Sequence, residues 1–168
     1  GAAARVPLPD SLRATIRRRL DPLPDEPRAL LGLAAVVGRE FDVGLLQRAA
    51  DRPAQEVLAQ IDAATSIGVV EEHDVAGAFR FTHAFFRQTL YEEVFAPRRN
   101  RWHRLIGSVL EDLYSDQLDE HAGELAAHFA HSSDPADLVR AMTFDQRAAE
   151  QAVRVYAHGE AARHLERA

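Results

Sequence analysis

The sequence predicts a mainly α-helical fold with one small β-hairpin, organised as a domain over about 1–96 and a helical region over 97–168. Three observations carry that expectation. Apolar residues recur at three- and four-residue spacing along most of the chain. One stretch, residues 69–82, instead alternates apolar and polar side chains around "VAG". Prolines and glycines fall where helices of that spacing would start or stop.

The first helix is "DSLRATIRRRL", entered at Asp10 after Pro7 and Pro9, with Leu12, Ile16 and Leu20 on one face. "DPLPDEP" punctuates the chain. A second helix over roughly 25–37 is apolar nearly all round (Leu30, Leu31, Leu33, Val36, Val37) and so belongs at the centre, with Gly38 closing it. Asp42 can cap a short third helix, "VGLLQRAAD". Pro53 suits the first turn of a fourth, whose positions Val57, Leu58, Ile61 and Ala64 have helical spacing and which Gly68 ends. "VVEEHD" and "AFRFT" then form the hairpin. Three helices followed by a hairpin is the order of a winged-helix module, with the third and fourth segments as its helix-turn-helix.

"HAFFRQTLYEEVF" reads as one helix stopped before Pro97, and Phe79, Phe81, Phe85, Phe86, Tyr91 and Phe95 read as core. A long helix over about 97–116 follows, with Trp102, Leu105, Ile106, Val109, Leu110 and Leu113 as its apolar stripe. The remainder, "DEHAGELAAHFAHS", "DPADLVRAMTFDQRAAEQAVRVYA" and "HGEAARHLERA", reads as alanine-rich helices joined by short breaks. Asp134 and Pro135 form a cap and first turn. That pattern suggests a stacked, tetratricopeptide-like (TPR-like) array that is cut short.

Composition excludes several chemistries. There is no cysteine, hence no thiol nucleophile and no cysteine zinc site. All 20 basic residues are arginine, so the chain has neither a GxxxxGK[ST] phosphate loop nor a Schiff-base lysine. Hydrophobic residues make up 46%, enough for a packed core. No apolar run approaches a membrane span, and the first ten residues lack a signal-peptide stretch, which points to a cytoplasmic, membrane-free protein. Net charge is −6, which opposes general attraction to nucleic acid. Charge is also segregated. Residues 97–104 carry four arginines and no acid, while 105–137 carry eight acids and no arginine. This is either a pair of solvated helix faces or a pair of complementary docking surfaces.

Among candidate residues, His83 follows Thr82, which can cap the aromatic helix. The imidazole then sits at the positive end of a helix dipole, where an N–H donor can meet a phosphate. The alternative is a core histidine bonded to a backbone carbonyl. His121, Glu124, His128 and His131 share one helical stripe, offering either metal ligands or a packing and solvated face. Four ligands on one helix rarely reach a single metal, so no metal is expected. "RATIRRRL" and "RRNRWHR" are the basic clusters, and arginines of this kind pair with acids of neighbouring helices or, with Trp102, stack on a base. The fourth helix carries Glu56 and Asp62 and no arginine, so direct duplex binding is not expected, although a DNA-binding winged-helix regulator remains the alternative function. No catalytic set emerges, and the chain is read as non-enzymatic.

Several stretches occur together in order: "VPLPDSLRATIRRRLDPLP", "LLGLAAVVGREFDVGLL", "FRFTHAFFRQTLYEEV", "RRNRWHRLIGSVLE" and "AAEQAVRVYAHGEAARHLERA". Nearly the whole chain thereby resembles the segment that follows the ATPase core in bacterial STAND-type (AAA-like) signalling ATPases. These include LuxR-family transcriptional regulators and cyclase-linked relatives. The resemblance implies a winged helix that closes over nucleotide held by an adjoining ATPase domain, then TPR-like repeats that receive a protein or small-molecule inducer. It implies that His83 contacts a nucleotide phosphate, with ATP or ADP bound in the full-length protein and no cofactor in this segment. The expected function is regulatory: transmitting nucleotide state to a signal-receiving helical array.

Overall fold

A computed structural model describes residues 10–73 and 75–166, with side chains described over 14–73 and 75–156. The chain is mainly helical, with eight α-helices and one small three-stranded antiparallel sheet among the described residues. It divides into two compact units, one running to Arg99 and the other from Asn100. No described helix is long and apolar enough to cross a membrane.

In the first unit, α1 (Asp10–Leu20) buries Ile16 and Leu20 and packs against α5. Pro7, Pro9 and the capping side chain expected of Asp10 lie outside the described residues and side chains, as does Leu12. The centre is α2 (Asp25–Val37), whose residues 30–37 are all buried, as its nearly continuous apolar surface requires. It packs against α3, α4 and α5. Gly38 closes it through an N–H donated to the Ala34 carbonyl. The next residues form β1 (Glu40–Asp42), a strand the sequence reading did not anticipate. Asp42 then caps α3 (Val43–Ala50) by accepting the Leu45 N–H at 2.7 Å, as its position suggests. In α4 (Ala54–Ser66), Val57, Gln60, Ile61 and Ala64 are buried, whereas Leu58 lies one position off that face and is exposed.

Strands β2 (Val70–Glu72) and β3 (Ala78–Phe81) form the expected hairpin. The strand order is β1-β3-β2, so β3 pairs on both sides. Glu40 lies opposite Arg80 on one side and Glu71 opposite Arg80 on the other. Phe41, Phe79 and Phe81 point to the buried face, where Phe41 meets Phe81 at 5.4 Å between ring centroids. The chain turns directly from β3 into α5 (Ala84–Glu93).

The aromatic helix is shorter and less buried than predicted. It ends at Glu93, Phe85 and Phe95 are exposed and Tyr91 is half-buried, so only Phe79, Phe81 and Phe86 of the six are core. The buried face of α5 is Phe86, Thr89 and Leu90, and Phe85 falls about 100° from it.

Helix α6 (Ala96–Leu113) starts in the first unit and ends in the second. In the second unit it buries His103, Ile106, Gly107 and Leu110, while Leu105 is exposed and Trp102, Val109 and Leu113 are half-buried. α7 (Ala122–Phe129) packs closely against α8 (Pro135–Glu166), a continuous helix of 32 residues. The break expected near His158 and Gly159 is not there, because flanking alanine-rich turns carry the helix through a single glycine. The cost of that glycine is only about 1 kcal/mol. Asp134 caps α8 by accepting the Ala136 N–H at 2.9 Å.

Candidate functional site

The corner between β3 and α5 fixes His83. Phe81 is fully buried beneath it. Thr82 is stitched twice to the turn between α4 and β2: its N–H donates to the Val69 carbonyl at 3.1 Å and its hydroxyl to the Gly68 carbonyl at 2.8 Å. Thr82 is therefore a clamp on the preceding segment, not the cap of α5 that the sequence suggested. His83 itself occupies the N-cap position, with extended backbone (φ −136°, ψ 139°) and no side-chain cap bond. Its side chain is exposed, with the ring tilted against Phe86 at 6.1 Å.

Three further contacts hold α5 and so hold the corner. Arg87 Nε donates to the Ala35 carbonyl at 3.0 Å, joining α5 to α2. Burial lowers the Arg87 guanidinium below its ordinary value, since the charged form loses water there. At the far end, Arg28 grips Glu93 through two nitrogens, Nε at 3.2 Å and a terminal nitrogen at 3.0 Å. Arg99 lies 4.5 Å over the Tyr91 ring and donates to the Tyr91 carbonyl at 3.1 Å. None of these was read from the sequence. Arg28 and Arg87 are separated from their partners by long stretches of chain, and no local pattern marks the Arg99–Tyr91 contact.

The first turn of α5 contains no acidic residue. An exposed imidazole beside the leading amides of a helix is a suitable donor set for an anion.

The histidine stripe does not converge. His121 stacks on Tyr114 at 3.6 Å and lies 3.5 Å from Glu124. His128 turns instead to His103, Nδ1 to Nδ1 at 3.0 Å, and His131 stacks on His103 at 4.1 Å. Among the described residues, no group of three or more histidine, aspartate or glutamate side chains is placed to hold a metal ion. The part of His103 was missed because it sits inside an arginine cluster. The signal was its spacing to Ile106 and Leu110, which puts it on the buried face of α6.

The segregated charge is partly neutralised within the second unit, and one arginine of the first is held by a backbone carbonyl. Arg19 Nε donates to the Ile67 carbonyl at the end of α4, at 2.7 Å. Arg104 pairs with Asp134 and Asp137, each at 3.1 Å. Arg140 pairs with Glu111 and with Asp137 and lies 3.9 Å over the Phe129 ring. Partial burial and the neighbouring Arg104 charge lower the Arg140 guanidinium from its ordinary value. Arg147 and Arg154 reach Asp119. Comparison with protein families, curated proteins and solved structures gave no match to the chain.

Proposed function

We propose that the chain is a regulatory, non-catalytic segment of a STAND-type signalling ATPase of the kind found in LuxR-family and cyclase-linked regulators. In this reading the first unit is a winged helix that reads the nucleotide state of an adjoining ATPase domain. The second is a helical, TPR-like part that receives a protein or small-molecule inducer. ATP or ADP is bound by the full-length protein, and His83 touches its phosphates.

One observation carries the proposal: His83 is exposed at the N-cap of α5, on a corner pinned by Thr82, Arg87 and the Arg28–Glu93 pair, with no acid in the first turn. A phosphate sensor needs a donor set that is rigid, accessible and free of competing carboxylates. The order α2-β1-α3-α4-β2-β3 supports the winged-helix reading, with the hairpin following its helix-turn-helix. The second unit supports the helical part without a repeat count, since α8 alone is nearly as long as a whole repeat of about 34 residues. The exposed positions of α4 include Glu56 and Asp62 and no cation, which favours this reading over duplex binding.

The mechanism is linkage. Nucleotide that binds better when the winged helix is closed over it holds the closed form, and the affinity difference sets how far the equilibrium moves. The test is His83→Ala in the full-length protein, measuring ADP retention and basal output. A change in either supports the sensor role, and unchanged nucleotide affinity with unchanged output rejects it. The chain alone should not hydrolyse ATP. An electrophoretic shift with duplex DNA that survives ~150 mM salt would transfer the case to the DNA-binding alternative.

A further inference from the structure

The second unit buries two imidazoles against each other. His103 on α6 and His128 on α7 are 5% and 4% exposed, and their Nδ1 atoms face at 3.0 Å. The exposed ring of His131, just past α7, stacks on His103 at 4.1 Å and 20°. Two ring nitrogens that face at this distance share one hydrogen, because a second would set two N–H donors head to head. The four ring nitrogens of the pair therefore carry at most three hydrogens while the contact lasts, which is at most one positive charge. A cationic His131 stacked on His103 opposes charge there further.

We infer that His103, His128 and His131 form a proton-limited lock in the second unit: α6 and α7 stay packed while the buried pair carries no more than one charge, and separate when mild acid drives on a second. The location makes this consequential. One turn along α6, Gly107 lies against the Phe129 ring of α7, a second point at which the two helices meet. The surrounding elements carry charged groups of both signs. Arg104 on α6 holds Asp134 and Asp137, Arg140 on α8 holds Asp137 and Glu111, and Glu124 on α7 lies by His121.

The direction follows from proton counting. Below about pH 6.5 the unfolded chain takes a proton on each imidazole. The packed pair takes at least one fewer. Stability of this unit therefore rises with pH across that range and falls on acidification. Each missing proton raises the unfolding constant by up to about tenfold per pH unit.

The test uses the 168-residue chain and its single tryptophan, Trp102, which adjoins His103. Urea unfolding followed by Trp102 fluorescence between about pH 5 and 7.5 should show the unfolding constant climbing toward tenfold per pH unit below about pH 6. His128→Gln keeps a hydrogen-bonding partner for His103 without a second titrating ring, and should flatten that dependence. Equal pH slopes in the parent and His128→Gln would overturn the proposal. Should the variant fail to fold, histidine ring NMR on the parent decides. A second charge on the pair that coincides with loss of amide protection over residues 103–131 supports the lock. Both rings becoming cationic with protection unchanged refutes it.

Discussion

Gly107→Ala should destabilise the second unit, although glycine to alanine in a helix is ordinarily a gain. A Cβ at this position would lie 2.9 Å from Phe129 Cζ, 3.0 Å from Cε1 and 3.3 Å from Cδ1. Such contacts are not sustained, so either the ring or α6 must move. The ring has little room: Phe129 is fully buried, stacks on Phe144 at 6.0 Å and is covered by the Arg140 guanidinium at 3.9 Å. Overpacking of this kind costs about 1–3 kcal/mol. The helix preference of alanine returns about 1 kcal/mol. The difference is a loss of about 1 kcal/mol, a roughly fivefold rise in the unfolding constant. Urea unfolding monitored through Trp102 measures it. Combining Gly107→Ala with Phe129→Leu removes the ring atoms that clash, so the double variant should lose less than the sum of the two single losses. A Gly107→Ala protein about 1 kcal/mol more stable than its parent, or strict additivity in the double variant, would refute the reasoning.

Two more substitutions probe the contacts around the corner and the α7–α8 turn. Gly68 has φ +70° and its added Cβ would fall 2.9 Å from a terminal nitrogen of Arg19, so Gly68→Ala should cost about 1–2 kcal/mol in chemical denaturation of the first unit. No change would show that the turn and Arg19 adapt freely. Asp137 is 1% exposed and accepts from Ser132 at 2.7 Å while pairing with Arg104 and Arg140. Asp137→Ala should cost about 2–3 kcal/mol, less than a fully buried pair because both arginines can rehydrate. Asp137→Asn, which keeps the Ser132 acceptor, should cost less, and the reverse ranking would sink the account.

Much of the helical plan was legible because it is local. The boundaries of α2 and the Asp42 cap follow from spacing and one capping oxygen. β1 was not legible, because "EFD" is three residues long and exists as a strand only through pairing with β3, some forty positions away. Phe85 and Leu58 were misplaced for a related reason. An apolar residue one step off a buried stripe looks the same in sequence, and only the packed neighbour decides which face is covered. At the candidate site, the position of His83 at a strand-to-helix corner was readable from the change of period at "FRFTHAFF". The Thr82 clamp and the Arg87 contact were not, since they depend on backbone carbonyls of other segments. The same limit hid the His103–His128 pair, whose members sit on different helices.

The sheet has a further consequence. Both outer strands, β1 and β2, are three residues long, and between them they present Glu40, Asp42, Glu71 and Glu72. A stray β-segment approaching either edge finds few backbone groups to pair with and a negatively charged rim. The hairpin can therefore stay small without becoming a template for aggregation, and any partner recruited by this unit must use its helices and corners rather than extend its sheet.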